Sequence, residues 1–205
     1  DLIKALQEKY EVGFLGEGIN DAPALKLANV AIVVESASDI AREAADVVLL
    51  EKSLETVVDG IREGRIIFAN ILKYLRVTLT SNFGNFYSVA LASLFLPFVP
   101  LLPIQILLLN LLSDFPMIAI ATDTVDDVEL EKPKNYQVHS IVLMATLLGV
   151  VSSVFDFILF GALYRFSPEM LQTAWFMLSV LTEIILIFSL RTRLTFFRAR
   201  RISLT

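Results

Sequence analysis

Cysteine is absent from the 205 residues of this chain. The chain therefore forms no disulfide, and it offers no thiolate for a zinc, iron–sulfur or soft-metal site. Positive charge is scarce as well, since 17 Lys and Arg stand against 22 Asp and Glu and give a net charge of −5. This balance is the opposite of the basic charge that a nucleic-acid interface needs. The composition argues against a nucleic-acid partner.

Charged residues are unevenly distributed along the chain. Residues 1–65 hold much of the charge, whereas residues 77–190 contain long uncharged runs. The chain is 56% hydrophobic with a mean hydropathy of +0.68, which is typical of a protein with several membrane spans. We predict a cytosolic α/β domain over residues 1–65, with a stalk helix that begins near residue 53, and a transmembrane domain with a cytosolic tail over residues 66–205. Because the first residues resemble a helix interior, we expect the chain to begin in mid-domain.

Four apolar stretches are each near the ~20 residues that a transmembrane helix needs. They cover residues 77–97, 101–122, 140–164 and 170–190, and short turns join them into two hairpins. Basic residues flank one side of the membrane, at Lys73, Arg76, Lys132, Lys134, Arg191, Arg193, Arg198, Arg200 and Arg201, against Arg165 on the other side. The positive-inside rule then places residues 1–76, the 123–138 loop and the C-terminus in the cytosol. The sequence predicts a multi-pass integral membrane protein.

Strand and helix patterns alternate in the first 65 residues. Continuous apolar runs predict strands at Val12–Leu15, Val30–Val34 and Asp46–Leu50, and helices are predicted at residues 1–9, 24–28, 38–45 and from residue 53. Strands that alternate with helices predict a parallel sheet covered on both faces. About 65 residues are too few for such a domain to be complete.

The most informative stretch follows the first predicted strand and reads Gly16-Glu17-Gly18-Ile19-Asn20-Asp21-Ala22-Pro23-Ala24-Leu25. Glu17, Asn20 and Asp21 project from the carboxyl end of a strand, where ligands bind in open α/β sheets. Gly16 and Gly18 allow a tight turn. Two carboxylates and an amide suit Mg²⁺ beside a phosphoryl group. The alternative is a polar turn closed by an Asx cap.

Polar side chains inside the apolar stretches are costly and by default functional. In the first stretch Thr78, Asn82 and Asn85 share one helix face. In the second, Asn110 and Asp114 lie four residues apart, and a proline at position 116 would release backbone carbonyls near them. These oxygens predict a cage suited to Mg²⁺ or Ca²⁺. Interhelical hydrogen bonding is the alternative, above all for Thr80 and Ser81.

Two further carboxylates and one acidic loop have less specific settings. Asp156 and Glu183 could contribute to a cation path, or they could pair with one another or with Ser152, Ser179 or Thr182. We expect the loop at residues 123–138 to be a solvated connector, with a cation-collecting vestibule as the alternative.

The motif of residues 16–25 resembles the Gly-Asp-Gly-x-Asn-Asp-x-Pro-Ala-Leu hinge motif of P-type cation ATPases. Glu17 stands where the family usually has Asp. The segment from Asn110 to Asp114 resembles the sixth-span pattern of calcium and magnesium pumps. Ser81 to Asn85 is similar to the fifth span of bacterial magnesium pumps, and Ser152 to Asp156 is similar to their seventh.

This resemblance implies a fold and a function. The fold would be a partial HAD-like, Rossmann-type phosphorylation domain of α/β class, followed by an all-α bundle of four transmembrane helices. The function would be that of a P-type ATPase moving an inorganic cation, Mg²⁺ first, across a prokaryotic plasma membrane. Glu17 and Asp21 would hold the catalytic Mg²⁺, with Gly16, Gly18 and Asn20 beside them. Asn82, Asn85, Asn110 and Asp114 would bind the transported cation, together with Asp156 and Glu183.

The resemblance also implies partners outside these residues. The Asp-Lys-Thr-Gly-Thr phosphorylation loop does not occur in this sequence. ATP would therefore be bound mainly by missing upstream domains, and the segment alone is not expected to hydrolyse it. The alternatives are a Ca²⁺ or monovalent-cation pump and a non-catalytic membrane fragment or regulator. A phosphatase-like domain with a membrane anchor and a channel or secondary transporter also remain.

Overall fold

The structure is a computed structural model that describes residues 2–192. The chain divides into two compact units, residues 1–62 and residues 63–205, and each is described by itself. Arg193, Arg198, Arg200 and Arg201, which contribute to the predicted membrane topology, lie outside the described residues.

Eight α-helices and three strands make up the described chain. In order they are α1 (Leu2–Gln7), β1 (Gly13–Gly16), α2 (Ala22–Leu27), β2 (Val30–Val34), α3 (Asp39–Glu43), β3 (Val47–Leu49), α4 (Leu54–Phe95), α5 (Pro103–Ile118), α6 (Asp127–Leu130), α7 (Val138–Leu163) and α8 (Pro168–Leu190). Short 3₁₀ turns at Ile19–Asp21 and Ala119–Thr122 precede α2 and follow α5.

The first unit is built on a parallel sheet with the strand order β1-β2-β3. Its core consists of apolar side chains from the strands and short helices, namely Leu25, Ala31, Val33, Val34, Ala37, Ala41 and Leu49. Polar caps close the local elements. The Ser38 hydroxyl accepts from the Ala41 amide at the start of α3, and Asp46 Oδ2 accepts from the Ala31 amide at 2.8 Å. Because the three strands are parallel, their carboxyl ends lie at the same edge of the sheet.

The predicted fold class is wrong in two respects. The strands lie close to the predicted positions, but residues 2–192 contain three consecutive strands and no HAD-like domain. Strand–helix alternation is a local signal, and it does not report how many strands a sheet contains or whether their order reverses. Within the same residues, three helices rather than four are long and apolar enough to cross a membrane, at Pro103–Thr122, Val138–Leu163 and Pro168–Leu190.

The first predicted span, residues 77–97, falls almost entirely inside the 42-residue helix α4. Its apolar character is diluted by two amides and several hydroxyls, including Thr80, Ser81, Asn82, Asn85 and Ser88. Counting uncharged residues therefore overestimated its hydropathy, because Asn and Ser cost free energy in lipid without carrying charge.

The second unit packs its helices around two apolar clusters. Ala92, Leu101, Phe160, Leu171 and Trp175 form one cluster, in which the Phe160 and Trp175 rings meet edge to face at 4.8 Å between centroids. Val77, Met117, Ile120 and Ile187 form the other. Each cluster takes residues from α4 and from at least two further segments, so α4 contributes to both apolar clusters of this unit.

Helices α4 and α7 come close together at two glycines, Gly84 and Gly149. A Cβ atom added to Gly149 would lie 3.0 Å from the backbone nitrogen of Gly84 and 3.1 Å from the Cβ of Phe83. Both distances are shorter than ordinary van der Waals contact. Only a residue without a side chain allows the two backbones to pass at this distance.

We expect Gly149→Ala to destabilise the second unit by about 1–3 kcal/mol, because the added methyl group forces the two helices apart. Gly161→Ala on the same helix is the matched control, since nothing lies within 4 Å of a Cβ placed there. Thermal unfolding of both variants in one detergent measures the difference. Equal melting temperatures would contradict the close approach.

Candidate functional site

The loop after β1 folds back on its own backbone. Asp21 Oδ2 accepts hydrogen bonds from the amides of Gly18, at 2.9 Å, and Glu17, at 3.0 Å. These two N–H groups, Gly18 first, favour the charged form and lower the pKa of the Asp21 carboxyl below its ordinary value. One Asp21 oxygen therefore closes the turn by binding the amides that precede it, whereas Asp21 makes no side-chain cap hydrogen bond at the start of α2, so the Asx-cap alternative is not what the structure has. The carboxylate stays ionised at neutral pH.

Of the two glycines of the motif, Gly16 is the one that a close approach requires, whereas a Cβ on Gly18 would make only ordinary van der Waals contact. No glycine within residues 2–192 has a positive φ. A Cβ atom on Gly16 would lie 2.8 Å from the Cβ of Asp21, and one on Gly18 would lie 3.5 Å from Asp21 Oδ2. Gly16 is thus required because the Asp21 side chain packs directly over it.

A cavity of ≈ 390 Å³ opens where the three strands end. Gly16, Glu17 and Asp21 line it from the first loop, and Lys52 and Ser53 line it from the segment that leads into α4. Lys52 Nζ lies 3.0 Å from Glu17 Oε2. Asn20 is exposed and does not line this cavity. The structure therefore brings Glu17 and Asp21 together and leaves Asn20 outside.

The second unit holds a buried carboxylate that faces two polar groups of α4. Glu183 on α8 is 5% exposed, and its Oε1 accepts hydrogen bonds from the Ser81 hydroxyl and from Asn85 Nδ2, the latter at 2.8 Å. Its Oε2 is buried and has no hydrogen-bond partner, like Ser179 Oγ one turn earlier on the same helix. Glu183 Oε2 and Ser179 Oγ thus leave oxygen lone pairs vacant, and such oxygens suit a hard cation.

A second buried carboxylate lies next along the same face of α4. Asp156 on α7 accepts from the Ser88 hydroxyl at 2.5 Å, and both side chains are buried. Ser81, Asn85 and Ser88 follow one another at i, i+4 and i+7, so they form one stripe on α4. Asp156 and Glu183 thus pair with α4 and not with each other. Sequence reasoning missed Ser88, although its spacing from Asn85 places it on the same face.

The remaining predicted cation ligands lie on the surface of the described chain. Asn82, Asn110 and Asp114 are exposed. The Thr78 hydroxyl contacts the Met117 sulfur at 3.4 Å, and this contact joins α4 to α5. Thr78 lies one helical turn from Asn82, and Met117 lies one turn from Asp114. The predicted cage is therefore divided: Asn85 belongs to the Glu183 group, and the other three residues face outward. No cluster of three or more His, Asp or Glu side chains occurs within residues 2–192.

The first part of the acidic loop at residues 123–138 is buried, so the prediction of a solvated connector is wrong there. Asp123 is 6% exposed, and its Oδ2 accepts from Lys73 Nζ at 3.0 Å and from Arg191 Nε at 2.8 Å. Asn70 Nδ2 also donates to the Asp123 carbonyl at 2.8 Å, and Thr192 donates to Asp126 at 2.5 Å. The loop binds α4 to the end of α8.

Comparison with known proteins identifies related sequences. Residues 98–203 match the family described as cation transporting ATPase, C-terminus. Magnesium-transporting ATPase, P-type 1, of Escherichia coli K12 is 44% identical over 194 residues, which are 91% of this chain and 22% of that protein. The protein of the same name from Salmonella typhimurium 14028s is 43% identical over 202 residues, 95% of this chain and 22% of that protein. Calcium-transporting ATPase of Bacillus subtilis is 34% identical over 211 residues, 96% of this chain and 23% of that protein.

The chain spans less than a quarter of the length of these curated relatives. The family match nevertheless covers more than half of the chain, including all three helices that are long and apolar enough to cross a membrane. The chain therefore belongs to the family of P-type cation-transporting ATPases, as an integral membrane segment from the C-terminal region.

Proposed function

We propose that the chain is part of an ATP-driven pump that moves an inorganic cation across a membrane through an aspartyl-phosphate intermediate. The phosphorylated Asp and most of the ATP site would lie outside these 205 residues. Mg²⁺ is the first candidate for the cargo, because two similar bacterial proteins are named magnesium-transporting ATPases. Ca²⁺ is the second, because a less similar one is named a calcium-transporting ATPase.

The observation that carries the transport proposal is the buried Glu183 carboxylate. An ionised carboxylate in an apolar helix bundle is costly unless it binds a cation, and Glu183 has two polar partners and one vacant oxygen. Ser81, Asn85 and Glu183 would bind the transported cation, with Asp156 and Ser88 further along the stripe. Asn82, Asn110 and Asp114 would complete the site with groups from outside this chain.

The cavity at the end of the sheet would serve phosphoryl transfer. The Glu17 carboxylate and the second Asp21 oxygen are hard donors that fit Mg²⁺. A magnesium ion there would supply positive charge to the phosphoryl group. Gly16 and Gly18 have no side chains, so the ligand would be able to approach the loop backbone there. Asn20 would contact the ligand only after the loop changes its conformation. Residues 1–76, which hold this cavity, would be cytosolic, in a prokaryotic plasma membrane.

The test is ATP-dependent ion uptake by the complete pump in proteoliposomes, with Mg²⁺, Ca²⁺, K⁺ and H⁺ measured separately. We expect Mg²⁺ uptake, and we expect Asp114→Asn to abolish it while the protein remains folded. Asp59→Asn is the control, since this exposed carboxylate lies on α4 away from the polar stripe. Uptake of Ca²⁺ alone would favour the second candidate, unchanged uptake by Asp114→Asn would remove that residue from the site, and the absence of any flux would favour a regulator.

A further inference from the structure

Lys52 is the one basic side chain among the described residues that line the ≈ 390 Å³ cavity. It lies in the segment between β3 and α4, outside the motif of residues 16–25. At 3.0 Å its ammonium contacts the Glu17 carboxylate across the cavity. The position therefore combines a cation with the two carboxylates that the proposed function assigns to metal binding.

The two carboxylates of the cavity are held differently. Asp21 is fixed by two backbone amides, whereas the Glu17 side chain has Lys52 as its hydrogen-bond partner. The Lys52 and Glu17 side chains are 64% and 65% exposed, so their attraction is screened and weak. A divalent cation carries twice the charge of the ammonium and can displace it from Glu17.

Displacement of the Lys52 ammonium by a divalent cation would reverse the sign of the formal charge in the cavity. Glu17, Asp21 and Lys52 together give the cavity a formal charge of −1, which repels a phosphoryl group. A bound divalent cation changes this to +1 and releases the ammonium beside it. The cavity would then attract an anion, and a lysine is a common ligand for phosphate oxygens.

We infer that Lys52 belongs to the phosphoryl site and has two roles there. Its ammonium holds Glu17 while no divalent cation is bound, and it binds phosphoryl oxygens once such a cation has taken Glu17. This inference rests on the function proposed for the cavity. It predicts that Lys52 opposes metal binding and supports phosphate binding, two effects of opposite sign from one side chain. A purely structural ion pair would also oppose metal binding, because it competes for Glu17, but it would not support phosphate binding.

The experiment uses the full 205-residue chain in lipid nanodiscs, with Mn²⁺ as the metal probe and inorganic phosphate as the anion. Free Mn²⁺ is measured by electron paramagnetic resonance and phosphate binding by equilibrium dialysis at saturating Mn²⁺. We expect Lys52→Met to bind Mn²⁺ about two- to fivefold more tightly, as the loss of a weak competing pair requires. We expect the same variant to bind phosphate about tenfold more weakly, as the loss of a charge-assisted hydrogen bond requires.

Three further variants make the result specific. Lys52→Arg keeps the charge and should retain both affinities within about twofold. Lys9→Met removes an exposed lysine that does not line the cavity and should change neither. Glu17→Gln identifies the Mn²⁺ bound at this cavity, as distinct from Mn²⁺ bound near Glu183. Circular dichroism checks that each variant remains folded.

Failure of the inference and failure of the proposed function give different results. If Glu17→Gln removes one class of bound Mn²⁺ but Lys52→Met does not weaken phosphate binding, the role of Lys52 is overturned and the metal site stands, whether or not Mn²⁺ binds more tightly. If Glu17→Gln leaves Mn²⁺ binding unchanged, the metal site itself is overturned, and the inference about Lys52 falls with it.

Discussion

Replacing Asp123 by Ala is expected to destabilise the second unit by about 3–5 kcal/mol, because the change leaves two buried cations without their shared carboxylate. The side chains of Lys73 and Arg191 are 4% and 11% exposed, so water cannot compensate for the loss. Both cations also contact Thr124, which places the expected value toward the lower end of that range.

Chemical unfolding in a single detergent measures this effect. Glu131→Ala is the matched control, because Glu131 belongs to the same acidic loop and is exposed. Combining Asp123→Leu with Lys73→Met should recover part of the lost stability, since an apolar pair of similar volume avoids the cost of the unpaired ammonium. A single Asp123→Ala variant as stable as the control would show that the buried ion pairs contribute little.

Replacing Glu183 by Gln is expected to weaken binding of the transported cation by at least about 100-fold. Glu183 is the one acidic side chain in its group with Ser81 and Asn85, whereas a Gln of nearly the same size replaces one carboxyl oxygen by an amide nitrogen that does not bind a hard cation. Cation-dependent stabilisation against heat measures the binding directly, because a ligand that binds the folded state raises its melting temperature.

The control for this experiment is Glu169→Gln, near the other end of α8, where the side chain is exposed. The Glu169→Gln variant should retain the stabilisation by cation, and the Glu183→Gln variant should lose it while its melting temperature without cation changes little. Retention of the effect in both variants would assign Glu183 to helix packing. Loss of folding in Glu183→Gln alone would also favour a structural role.

Local elements of the first unit could be predicted from the sequence. The second strand occupies Val30–Val34, as predicted, and the first begins one residue later than predicted. Continuous runs of β-branched and aliphatic residues identify buried strands of a parallel sheet. The interpretation of these strands as part of a HAD-like domain was wrong, because the number and order of strands depend on contacts that a local pattern does not contain.

The polar stripe on α4 was partly predictable, because spacing along a helix can be read from the sequence but contacts between distant segments cannot. Spacing along one helix placed Asn82 and Asn85 near a common face, but it could not show that Asn85 contacts Glu183 while Asn82 is exposed. That difference depends on the rotation of α4 against α8, and their contacting residues are about 100 positions apart in the sequence. Their metal-binding roles remain predictions.

The burial of Asp123 could not be predicted from the composition of its loop. Its neighbours Asp126, Asp127, Glu129 and Glu131 are acidic, and such a loop is normally solvated. The two cations that contact Asp123 are Lys73 on α4 and Arg191 just after α8, which lie 50 and 68 residues away in the sequence. Sequence composition could not reveal them.

The three-stranded sheet has a consequence for the behaviour of the polypeptide. Within the described residues β1 and β3 each pair on one side only, and apolar side chains at Leu15, Val30, Val47 and Val48 are more than two-fifths exposed. Open strand edges beside apolar surface are templates for intermolecular β-pairing. A truncated polypeptide that ends soon after β3 would therefore be prone to aggregation, and its failure to remain in solution would reflect these two edges and not a defect in the motif loop.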